Sequence, residues 1–223
     1  MLVLRPPTFH PGIVARVGSL SEAVLTLSGF ALVGSRSPDV AAWVKQELPL
    51  SRLLSPIGRI AAAYHGLPTR YVADGVDDLW QYVWWTLLVK TGDCEDSSTA
   101  LAAILSYLGI DARIAVMPGH AAVVIPVDVD DWGRRSIGGW ILPSEWTTFF
   151  YAGGQWLGLE TTLRLRAVPG EGTHMLWQAA AVGTLSIGPS MGALLRSLTV
   201  RPPSEGVLSR AFRLRRSRRS RSG

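Results

Sequence analysis

A chain of 223 residues and 24.1 kDa, 48% hydrophobic and 17% charged, has room for one domain with a small annex and ample apolar material for a core, which excludes wholesale disorder. A single cysteine, Cys94, and the absence of asparagine exclude an internal disulfide, N-linked glycosylation, a Cys-His-Asn triad and any metal site with two or more thiolates. The net charge of +5 is carried at the C-terminus: without the seven arginines of residues 210–223, about −2 is left on the rest.

Arg16 and Glu22 interrupt the apolar character of residues 1–30 and no small-residue cleavage site follows, so no secretory leader is expected and the chain reads as cytoplasmic. Ser19 or Ser21 caps a helix reaching Phe30, and Asp39, after Ser37-Pro38, starts a second helix that ends at Glu47 before Pro49. Helical spacing continues over Ile57–Tyr64 and over Asp77–Val89, the latter through Leu79, Trp80, Val83, Trp84, Leu87 and Leu88. Gly92-Asp93-Cys94-Glu95-Asp96 then leads into Ser97–Leu108, with Ala100, Leu101, Ile104, Leu105 and Leu108 at i, i+3, i+4 spacing and Gly109 just past the end.

Strand signals follow. Ile110, Ala112, Ile114 and Val116 alternate with Asp111 and Arg113, Pro118-Gly119 turns the chain, and Ala121–Val127 completes a hairpin with His120 at its entry. Residues 128–154 begin acidic and become Gly- and Trp-rich with weak periodicity; Gln155–Val168 resumes the alternation. Helices followed by strands predict an α+β fold. Leu176–Leu195 is uncharged but contains Gln178, Gly183, Gly188, Pro189 and Gly192, so packing on the domain is expected and a membrane span is not. The Arg/Ser-rich residues 210–223 cannot bury apolar area and are expected to be disordered. Arg213, Arg215, Arg216, Arg218 and Arg219 are the candidates there for contact with nucleic acid or another acidic surface. The organisation expected is an N-terminal helical extension (1–56), a core (57–168), a C-terminal packing segment (169–209) and the tail (210–223).

No His-Glu-x-x-His spacing and no phosphate-binding glycine loop is present, so no metal or nucleotide cofactor is expected. The residues instead suggest thiol chemistry. A thiolate nucleophile needs a lowered pKa, an imidazole to handle the proton and a group to orient that imidazole. A helix start at Cys94 supplies partial positive charge. Asp93, Glu95 and Asp96 oppose it unless they turn away, Asp93 by capping the helix and the other two by lying in its first turn. His120 is the expected base, because a histidine in an otherwise apolar strand is costly without a polar partner; His10, His65 and His174 sit in turn-like segments. Glu160, in an apolar strand pattern, is the expected orienter.

The run Asp78–Asp96 resembles the signature of the transglutaminase-like superfamily of cysteine enzymes with a papain-like fold. Tyr71-Val72-Ala73-Asp74 is similar to the usual entry to that region, Ala100–Leu108 with Gly109–Arg113 to the nucleophile helix and following strand, Pro118-Gly119-His120-Ala121 to the histidine motif, and Trp156–Thr162 to the strand bearing the acid. The resemblance spans about residues 57–166. It implies N-terminal helices with the nucleophile helix packed on an antiparallel sheet, and a triad of Cys94, His120 and Glu160. It further implies an oxyanion hole from the Cys94 N–H, with Gln81 or Trp80 as second donor. The long spacing between His120 and Glu160 makes 128–154 an insertion or substrate flap, and Asp128, Asp130 and Glu145 stay open as the acid. The implied activity is thiol-dependent acyl transfer on peptide or side-chain amides, as a cysteine peptidase or amidase acting on a protein or peptide and without a cofactor. Transglutaminase-type amine transfer and a non-catalytic binding module with a nucleic-acid-binding tail are the alternatives.

Overall fold

Serine side chains begin three of the helices. In the computed structural model, which describes residues 12–14, 19–73, 79–162, 168–171 and 181–183, Ser19 accepts the Glu22 N–H and starts α1 (Leu20–Ser35), the Ser-x-x-Glu spacing of a capping box. Ser37 and Ser55 cap α2 (Pro38–Glu47) and α3 (Pro56–Gly66) in the same way, each with proline in the first turn, where a missing N–H costs nothing. A single 3-10 turn (Ser51–Leu53) separates those two.

The helix expected over Asp77–Val89 is shorter than its periodicity suggests. Leu79–Gln81 is a strand, β3, paired antiparallel with β1 (Gly12–Val14), and α4 covers only Val83–Val89. The Gln81 N–H is bonded to the Asp96 carboxylate at 2.7 Å, which holds this segment extended: a tertiary contact overrides a helical pattern. Next, β2 (Arg70–Tyr71) pairs parallel with β4 (Thr91–Gly92) and delivers the chain to α5 (Cys94–Tyr107), capped by Asp93 and followed by Gly109 at φ +80°.

The strand after α5 begins at Arg113 and not at Ile110. Ile110 and Ala112 donate to the carbonyls of Leu105 and Ile110, so the segment leaves the helix as a tight turn before joining the sheet. β5 (Arg113–Met117), Gly119 at φ +73° and β6 (His120–Val129) then form the expected hairpin. The main sheet is antiparallel in the order β11-β5-β6-β10-β9, with β9 (Thr148–Tyr151), β10 (Gly154–Leu159) and β11 (Ala181–Gly183). β7 (Arg135–Ile137) extends from β6 and β8 (Trp140–Ile141) from β7. These two adjoin the end of β6 remote from His120, nine residues or about 30 Å along the strand at ~3.3 Å per residue. They extend the sheet there.

One row of the sheet, Gly183, Ile114, Val123 and Leu159, faces α1, since Val24 and Ser28 lie against Gly183. α1 also packs on α5 and α5 on β6, so residues of the 1–56 segment and of the core build one interior. Alternation sends Ala115, Ala122, Val124 and Trp156 to the other face, where they form a second cluster with Met117 and Phe149. The fold is therefore mixed α and β, with helices packed on an antiparallel sheet. Among the described residues no helix is long and apolar enough to cross a membrane. Leu176–Leu195 (apart from 181–183), the alternation at 163–167 and the arginines of 210–223 lie outside the described residues.

Candidate active site

The acid end of the site is set by register. Leu159 pairs with Val123, so Glu160, one residue past β10, lies diagonally across from His120 at the start of β6. Its Oε2 is 2.5 Å from His120 Nε2, and its Oε1 accepts from both the N–H (2.8 Å) and the hydroxyl (2.7 Å) of Thr162. The side chains of His120 and Glu160 are 16% and 8% exposed. Burial by itself raises the Glu160 pKa, but the bonds from His120 and Thr162 outweigh it and hold the carboxyl below its ordinary range. The same bond, with the charges of Glu160 and Glu95, raises His120 against the effect of its burial.

An ionised carboxylate is acceptor-only, so the hydrogen between the two groups resides on Nε2. In the neutral ring the lone pair is then on Nδ1, which makes Nδ1 the basic atom of this imidazole. Tyr64, on α3, donates to the Glu160 carbonyl at 2.8 Å and fixes the backbone behind the acid.

The thiol end is built by α5. Asp93 Oδ1 accepts the Asp96 N–H (3.3 Å), Asp96 Oδ1 accepts the Gln81 N–H, and Ser98 Oγ, one turn on, is 3.1 Å from both the Ala121 carbonyl and Thr161 Oγ1. These bonds seat the first turns of the helix beside the start of β6. The Ala121 N–H, next in sequence to His120, acts to lower the pKa of the Cys94 thiol, and Cys94 is buried. As the first residue of the helix, Cys94 also has a backbone N–H with no acceptor one turn back.

Of the acids expected to turn away from the sulfur, Asp93 caps the helix but its charge still raises the thiol, Asp96 is turned to the Gln81 N–H, and Glu95 faces the sulfur. The Cys94 thiol donates to Glu95 Oε2 at 2.8 Å. Burial, then the charge and hydrogen bond of Glu95, push the thiol well up instead of down, against a smaller opposing effect of the Ala121 N–H. The helix terminus thus does not produce a thiolate here. Among the described residues no hydrogen bond joins Cys94 to His120.

Trp80 is 3% exposed and its indole N–H has no hydrogen-bond partner among the described residues. Gln81 spends its backbone N–H on Asp96 and its side-chain oxygen on the Thr86 hydroxyl (3.4 Å), which leaves the amide nitrogen as its only candidate donor. The imidazole meets Glu160 and none of the alternatives: Asp128 is exposed on β6 opposite Ser136, Asp130 is bonded to Arg134, and Glu145 is exposed beside Ser144. His65 lies in α3 with its ring tilted at 57° against that of Tyr64, while His10, His174, Arg213, Arg215, Arg216, Arg218 and Arg219 lie outside the described residues. No group of three or more His, Cys, Asp or Glu among the described residues is arranged to hold a metal.

Sequence reasoning missed the roles of Glu95, Thr162, Tyr64 and Ala121. Thr162 had a signal, a hydroxyl two residues past an acid, which is the spacing of a local side-chain bond. Tyr64, 96 residues away from Glu160, had none. No family model, no curated protein and no solved structure matches this chain.

Proposed function

We propose that the protein is a thiol-dependent acyl-transfer enzyme with a papain-like, transglutaminase-like core, acting on peptide or side-chain amides, as a cysteine peptidase or amidase. One observation carries the reading: a largely buried His120–Glu160 pair whose Nδ1 has no hydrogen-bond partner among the described residues, beside a helix that begins at Cys94 and is anchored through Ser98 to the residue next to that histidine. In the mechanism, Nδ1 takes the thiol proton as sulfur attacks the amide carbonyl, and Glu160 steadies the imidazolium through Nε2–H. The Cys94 N–H, with the Trp80 indole or the Gln81 amide, receives the oxyanion. The imidazolium then protonates the leaving amine, and water, activated by the same Nδ1, cleaves the thioester. An amine in place of water gives amide exchange.

The test is a comparison of peptide cleavage with amine incorporation by wild-type protein and Cys94→Ala. Turnover in either assay that Cys94→Ala lowers at least a thousand-fold supports the class and selects the acceptor; no turnover by wild type in both assays sinks it.

A second reading, a non-catalytic binding module of the same fold that works through its basic tail, draws on the thiol being held protonated by Glu95. Its signature is salt-dependent nucleic-acid binding that disappears on deleting residues 210–223 and ignores Cys94→Ala.

A further inference from the structure

The mechanism above makes no use of the group closest to the nucleophile. Glu95 is the second residue of α5, half-buried, with Oε2 2.8 Å from the Cys94 sulfur. A thiol has one proton and gives it to one acceptor at a time. While Glu95 holds it, Nδ1 of His120 cannot. The thiol is the donor in this contact, so the proton stays on sulfur and is directed at the Glu95 carboxylate. Its field also acts on both neighbours: its charge contributes to raising His120, and, after burial, to raising Asp93. The other titratable groups at this point are Asp96, turned to the Gln81 N–H, and Glu160, behind His120.

We propose that Glu95 is a positioning residue that keeps the nucleophile at rest, its carboxylate holding the thiol hydrogen away from Nδ1 of His120 until an occupant of the site displaces it. This rests on the reading of Cys94, His120 and Glu160 as a catalytic centre. On displacement the S–H proton passes to Nδ1, the S–H electron pair stays on sulfur, and Nε2–H remains on Glu160. Glu95 is only half-buried, and its partner is the thiol, so moving the carboxylate outward breaks that hydrogen bond without burying a charge.

The test is the second-order rate of Cys94 alkylation by iodoacetamide from pH 5 to 10, a reaction that forms the S–C bond and releases iodide. It reports a single site, because the chain has no other cysteine. Compared are wild type, Glu95→Gln, Glu95→Ala, His120→Ala and the two double variants, with tryptophan fluorescence as a check of folding. Both Glu95 variants are expected to react at least ten-fold faster at pH 7, with the inflection of the profile lower by a unit or more, and adding His120→Ala is expected to remove that gain. Wild-type or slower rates in both Glu95 variants overturn the proposal. Faster rates that His120→Ala leaves unchanged uphold the restraint by Glu95 and overturn the catalytic pairing of Cys94 with His120, so the two failures are distinct.

Discussion

Two carboxylates of one site, Glu95 and Glu160, differ only in what they face. Glu160 meets an imidazole N–H and two donors from Thr162 and is held ionised; Glu95 meets a thiol and keeps it neutral. The first arrangement predicts a pH-dependent stability. Glu160 lies below its ordinary 4.5 in the folded state, so its contribution is complete above pH 4.5 and is lost as pH falls through the folded value. His120 lies above its ordinary 6.5, so its contribution is complete below pH 6.5 and is lost as pH rises through the folded value. Both are present together between pH 4.5 and 6.5. Urea unfolding of Glu160→Gln is therefore expected to show its largest loss there, about 1.5–3 kcal/mol for a charge-assisted bond, shrinking at alkaline pH. A loss that does not vary with pH would show that the ion pair contributes no charge-dependent stability.

At the scale of elements, the site depends on how closely α5 can approach the β4 strand that precedes it. A Cβ on Gly92 would lie 2.6 Å from the Asp96 Cβ, a separation side chains do not tolerate. Gly92→Ala is expected to displace Asp96 from the Gln81 N–H and cost about 1–3 kcal/mol in chemical denaturation; a neutral result would show that the first turn of α5 yields freely. The start and end of α5 were legible in the sequence, because Asp93 and Gly109 are chemically suited to begin and end a helix. His120 and Glu160 were legible for a related reason: polar residues in apolar strands call for partners. The β3–α4 segment was not, since Leu79 to Leu88 has the same apolar spacing whether its first residues are helical or extended, and the deciding contact with Asp96 is made across the fold. Nor was the direction of Glu95, which depends on a side-chain rotamer that spacing does not encode.

For the whole molecule, α5 is both the bearer of Cys94 and the centre of the interior. Ala100 to Leu105 are each 0% exposed, enclosed by α1 and by the sheet. Leu101→Ala is expected to remove about 2–5 kcal/mol, lowering the urea midpoint with little change in slope. An effect below 1 kcal/mol would mean that the packing around α5 closes the space without strain. The outer sheet is different: Trp132, Trp140, Ile141 and Phe150 are all more than half exposed on the 128–154 strands and their turns. Their weak periodicity in the sequence has the same origin, because a segment with few buried positions has little alternation to display.

A buried thiol that is the chain's sole cysteine also determines how this molecule ages in the presence of peroxide. Once sulfur is converted to the sulfenic acid, no second thiol in the chain stands ready to resolve it as a disulfide. Reduction as a mixed disulfide has to come from a thiol outside the chain, and without one the next oxidation, to the sulfinic acid, fixes the sulfur in a form that thiols do not restore.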